Sequence, residues 1–182
     1  MRADAARNRE HIVTTARGLF RSKGLDAVSM DEVAKAAGVG PGTLYRHFPT
    51  KDALYDAALE AWGKDVNAAV DHALETNETA SDRLDAWLSA YAHMLLAHKG
   101  AAARLTAALG DPDSAYAAKC STWLNANQRL IDAMGADLRD DVTAMQICRL
   151  VGGIAAVADS SELPTEAVQP LLDVVAAGLL RG

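Results

Sequence analysis

Within Ser29–Lys51 the sequence gathers side chains able to grip a polyanion. Arg46 carries a planar fork that can read guanine or simply hold a phosphate. Tyr45 and His47 flank it and are predicted on the outer face of the same short segment, while Ser29 and Thr43 supply hydroxyls. Lys51 opens the next predicted helix, where its charge adds to free backbone amides and to the positive end of the helix dipole. Ser29 has a second reading, as a helix cap with no ligand. None of these groups pairs a nucleophile with a base. The chemistry on offer is recognition, and no catalytic residue is identified.

The elements that must position this set are two short helices and a tight turn. Ser29 is a good N-cap, with Glu32 three residues on to complete a capping box. Met30, Val33, Ala34 and Ala37 supply an inner face, and Gly38 stops the helix in the left-handed conformation that glycine adopts cheaply. Val39 plugs the angle. The second helix spans about Gly40–His47, with Pro41 in its first turn and Pro49 just past its end. This is a helix-turn-helix. A first helix over 5–23 should cover it, giving a three-helix head whose expected core is Ile12, Ala16, Phe20, Val28, Val33, Ala37, Val39, Leu44 and Phe48. The arm before it, with Arg2 and Arg7, is expected to stay mobile until a partner orders it.

Charge agrees with a head that meets a polyanion. Residues 1–51 hold nine Lys and Arg against five Asp and Glu, net +4, which leaves −10 of the total −6 on the remainder. The rest reads as helix throughout: half the residues are hydrophobic, only 5% are aromatic, and no alternating strand or hairpin turn is present. The fold class is all-α, with about nine helices. A long helix runs from Lys51, capped by Thr50, to about Leu74; Ser81 is expected to cap a helix to about His98. A short helix follows over 101–109, then one from Asp111-Pro112 to about Met134, and finally helices over 140–158 and 164–180. The last two are apolar on more than one face, so they lie at the centre of a domain or pack against a second copy of the chain. The small residues Gly152, Gly153 and Ala155 fall on this pair of helices.

Trp62, Trp87, Tyr91, Met94, Trp123 and Asn127 fall on inward stripes of three successive long helices. Aromatics beside a few polar groups suit an apolar ligand site, and they equally suit an ordinary core. Asn127 is the informative one, since a buried amide needs partners. His98 and Arg104 flank Gly100 and could meet an anion at the mouth of such a pocket. His72, His93 and His98 share no metal-binding spacing, and Cys120 and Cys148 read as reduced, buried small hydrophobes. No cofactor or metal is implied. Met1–Glu10 is polar and no apolar run approaches a membrane span, so a cytoplasmic protein is expected.

Over residues 9–55 the pattern RxxIVxxARxLFxxxGLDAVSMDEVAKAAGVGPGTLYRHFPTKDAL resembles the tetracycline-repressor (TetR) family of bacterial transcriptional regulators. The resemblance implies a DNA-binding domain over 1–50 and a helical ligand-binding and dimerisation domain over 51–182. It implies phosphate contacts at Tyr45 and His47, and base contacts at Pro41, Gly42 and Thr43. Gly40 stands where relatives commonly have serine, and neither proline nor glycine offers a hydrogen-bonding side chain. Base reading therefore falls to Thr43 and Arg46, helped by DNA shape. The partners implied are a palindromic duplex operator, a second copy joined through helices 140–158 and 164–180, and an unidentified small-molecule effector. Two other functions stay open: a DNA-binding regulator without a ligand, and a helical enzyme or carrier.

Overall fold

The computed structural model of the chain describes residues 2–24, 27–76, 78–97, 100–114 and 116–181. Among them are nine α-helices and no β-strand; the chain is all-α, as expected. They divide into two compact units, Met1–Trp62 and Gly63–Gly182.

The N-terminal unit holds α1 (Arg2–Lys23), α2 (Met30–Ala36), α3 (Pro41–His47) and the start of α4 (Lys51–Thr76). Helix α1 begins at Arg2, so the basic arm expected before residue 5 is instead its first turns, with Arg7 paired to Asp4 at 2.5 Å. Ser29 caps α2, its Oγ accepting from Glu32 N–H at 3.1 Å. The Glu32 carboxylate is held below the usual range by the Lys23 ammonium and, more weakly, by the backbone of Ser29. Gly38 sits at φ +63°, its N–H donating to Lys35 and that of Val39 to Ala34. These two bonds satisfy carbonyls that the end of α2 would otherwise orphan. The core beneath is Ile12, Ala16, Val28, Val33, Ala37, Leu44 and Phe48, with Phe20 and Val39 partly buried at its edge. Leu54 and Ala57 of α4 join this core, so the first unit ends inside α4 and not at its start.

The C-terminal unit continues with α5 (Ala80–Leu96), α6 (Ala101–Ala107), α7 (Ala117–Met134), α8 (Ala144–Ser160) and α9 (Gln169–Leu179). Thr79, not Ser81, caps α5, accepting from Asp82 N–H at 3.1 Å. Helix α7 starts six residues later than Asp111-Pro112 suggests. The Asp111 carboxylate takes the Asp113 N–H at 3.0 Å and closes a local turn in place of a helix cap. Helix α8 starts at Ala144 because Thr143 and Gln146 complete a reciprocal capping box, leaving 140–143 outside. The chain after Pro164 makes a short 3₁₀ turn before α9 begins. Across this unit Arg129 ties α7 to α4, donating to Asn67 at 3.1 Å and pairing with Asp71. Gly152 and Ala155 of α8 are buried, and Gly152 faces α6: a Cβ there would lie 2.3 Å from Thr106 Oγ1. The small residue at 152 therefore serves packing within the unit.

Candidate nucleic-acid interface and ligand site

Helix α3 is a seven-residue helix pinned by one fully buried side chain, Leu44, which leaves its other faces available. Gly40 is its N-cap, with no side chain to donate or accept, and Pro41 follows it at N1. Pro41, Gly42, Tyr45 and Arg46 are exposed, whereas Thr43 and His47 are half-buried. Tyr45 at 46% exposure is a surface residue and not part of the core. Arg46 folds back along its own helix: Nε donates to the Gly42 carbonyl at 3.0 Å and Nη2 to Thr43 Oγ1 at 3.1 Å. The two side chains expected to read bases are thus one hydrogen-bonded group. Lys51 is half-buried in the first turn of α4, which Thr50 caps through Ala53 N–H at 3.1 Å. Behind α3, the Arg9 guanidinium lies 5.2 Å from the centre of the Phe48 ring. That contact ties α1 to the residue that ends α3.

In the C-terminal unit four of the six predicted ligand residues come together. The rings of Tyr91 and Trp123 stack, centroids 3.8 Å apart and 20° from parallel. Trp87 tilts against both at 5.6 and 6.0 Å. Asn127, completely buried, accepts from Trp87 Nε1 at 2.8 Å and donates to the Trp123 carbonyl at 3.0 Å and to Cys148 Sγ at 3.2 Å. Met94 is half-buried on α5, and Trp62 belongs to the N-terminal unit. The cluster is close-packed. Beside it lies a void of only about 10 Å³, room for one water at most. Tyr91 and Leu95, Leu105 and Thr106, and Cys120 and Cys148 form most of its wall. Burial pushes the Tyr91 phenol and both thiols up, so every titratable group at the void is neutral at physiological pH. The residues of α6 and the two cysteines escaped sequence reasoning as members of a site. Their only signal was the inward register that also marks core. Arg104 is exposed and does not line the void, and His98 lies outside the described residues.

A second feature is a groove of about 530 Å³ between α8 and α9, walled by Leu150, Val174, Val175 and Leu179 with Arg139 and Arg149 among its polar groups. The same two helices expose large apolar side chains: Val174 is 73% exposed, Val157 57% and Leu171 42%. No group of three or more His, Cys, Asp or Glu among the described residues is placed to hold a metal ion.

Comparison with known proteins follows this division. Residues 12–58 match the model for bacterial regulatory proteins of the TetR family, and residues 79–181 match the SbtR-like transcriptional regulator C-terminal domain. A TetR transcriptional regulator from Streptomyces coelicolor is 31% identical, with 94% of this chain and 98% of that one covered and a TM-score of 0.66. The chain belongs to the TetR family. A TetR transcriptional regulator from Chloroflexus aurantiacus shares the fold at 20% identity, covering 100% of this chain and 99% of its own, TM-score 0.69. An HTH-type transcriptional regulator of Staphylococcus aureus (strain USA300) is 48% identical over 54 residues, which is 30% of this chain and 29% of that protein. These relatives are transcriptional regulators, not enzymes. Among the described residues no helix is long and apolar enough to cross a membrane.

Proposed function

We propose that this TetR-family regulator is a cytoplasmic, homodimeric repressor released from a palindromic operator by a small molecule bound in its C-terminal unit. The observation that carries the DNA-binding part is α3, held by Leu44 and ended at Phe48, with its outer face left uncovered. In this reading Tyr45, His47 and Lys51 grip phosphates with help from the hydroxyl of Ser29, which the α2 cap already occupies as an acceptor. Gly40, Pro41 and Gly42 let the backbone approach the major groove, and Thr43, braced by Arg46, reads bases. Two-fold symmetry comes from pairing α8 and α9 with their copies, which covers Val157, Leu171 and Val174.

The effector part rests on the aromatic cluster. A pocket walled by neutral groups cannot balance a charge brought out of water, so the effector is uncharged. The void is too small for it as it stands, so binding must widen the space between α6 and the Tyr91–Trp123 stack. Helix α4 contributes to both units and carries the change to the heads. They then no longer match successive major grooves about 34 Å apart. The closed void also favours a second reading, a regulator without a small-molecule ligand. A selection of binding sites from randomised duplexes tests the DNA-binding part: a palindrome should emerge, and failure to enrich any sequence refutes it. A neutral compound that raises Tm and releases that duplex supports the first reading over the second.

A further inference from the structure

We propose that Arg46 is a positioning residue for Thr43, fixing its hydroxyl as an outward hydrogen-bond donor, so that the base facing Thr43 in each half-site is not cytosine. This rests on the reading of α3 as the helix that enters the major groove.

The donor direction of the bond is forced by chemistry. A guanidinium has five N–H donors and no acceptor, so in the 3.1 Å contact between Arg46 Nη2 and Thr43 Oγ1 the hydroxyl oxygen must accept. The second bond, from Nε to the Gly42 carbonyl at 3.0 Å, fixes the fork at two points three and four residues back along the helix. Free hydroxyls rotate and serve as donor or acceptor alike. Here a positive group takes one of the oxygen's two lone pairs, so a second donor brought to the other meets a like partial charge and a weakened acceptor. The O–H, polarised by the same bond, becomes the better donor. In the major groove guanine, adenine and thymine each present an acceptor, through N7 or O6, N7, and O4, whereas cytosine presents only its amino donor. An outward donor at Thr43 therefore tolerates three bases and rejects one. This is a coarse preference, and it suits a helix whose neighbouring positions, Gly40, Pro41 and Gly42, have no hydrogen-bonding side chain.

The test uses the full-length protein and the duplex recovered by site selection. Each base of a half-site is replaced in turn by cytosine, and affinity is measured by fluorescence anisotropy. Wild type should show one position, the one facing Thr43, at which cytosine costs roughly tenfold. Thr43→Val should reduce that loss to about twofold or less, as should Arg46→Ala, and the double variant should lose nothing more; Thr43→Ser, which keeps the hydroxyl, should retain the discrimination. The inference is overturned if Arg46→Ala leaves the cytosine penalty intact while Thr43→Val removes it. It is equally overturned if Arg46→Ala abolishes a guanine preference elsewhere in the half-site and the two losses add, for then Arg46 reads DNA directly. Helical circular dichroism spectra check that each variant is folded. If wild type selects no sequence, the DNA-binding reading fails; if it selects one and the variants behave additively, only the positioning role does.

Discussion

Replacing Asn127 by Leu should destabilise the C-terminal unit well beyond what the change in shape predicts. The side chain is completely buried and makes three hydrogen bonds, one of which satisfies the indole N–H of Trp87 at 2.8 Å. Leucine is of similar size but can accept nothing, so Trp87 Nε1 is left as a buried donor at about 1–3 kcal/mol. Misfit of a branched side chain against stacked rings adds about 1 kcal/mol. For a chain of this length each kcal/mol moves Tm by about 2–4 °C, which puts the expected loss at roughly 4–16 °C. The informative measurement is a double-mutant cycle with Trp87→Phe, read by denaturant unfolding. Either single change orphans a buried group, while the pair removes both partners. The double variant should therefore be destabilised by at least about 1 kcal/mol less than the sum of the singles. Strict additivity would show that the amide and the indole do not depend on each other, and the account of Asn127 as the buried partner of Trp87 would fall.

Three further outcomes follow from the same reasoning. Lys51→Ala should weaken binding to all duplexes alike and lower the salt slope by about one, since a phosphate contact carries no sequence information; a change in base preference would contradict it. Val174→Glu, which places a charge on a side chain 73% exposed beside the α8–α9 groove, should convert a dimer to monomer in sedimentation equilibrium while leaving helical content unchanged; an unaltered mass would place the interface elsewhere. Burial, then the carboxylates of Asp173 and Asp82, raise the pKa of Asp85 above its ordinary value. The ionised form is thus disfavoured by folding, and the penalty is present above the folded pKa and fades as pH falls through it. Asp85→Asn should raise Tm at pH 7, with a gain that shrinks towards pH 4; a gain that grew with acidity would reverse the assignment.

The head was legible because its determinants are local. Ser29, Gly38 and Pro41 act within four residues of themselves, and Leu44 and Phe48 fall where a short helix must be pinned. The start of α7 differs from the expected one for a reason just as local: Asp111 can cap a helix or close its own turn, and sequence does not say which wins. In the body, the inward stripe of Trp87, Tyr91, Trp123 and Asn127 is visible in the register. Whether the rings close on one another or leave a cavity depends on distances between helices that no single stripe encodes. Gly152 shows the same limit. A small residue on an apolar helix looks alike whether it admits a neighbouring side chain or a second copy of the chain, and only the approach of Thr106 decides.

That approach also constrains how the body can diverge. With the Thr106 hydroxyl lodged where a Cβ at position 152 would lie, every replacement of Gly152 collides unless residue 106 shrinks or turns away first. Leu95 and Leu105 line the same void from helices α5 and α6 without such a clash, and trimming either enlarges it by a single codon change. Descendants of this chain selected to take a ligand at this void should therefore vary at 95 and 105 while 152 stays glycine, unless 152 and 106 change together.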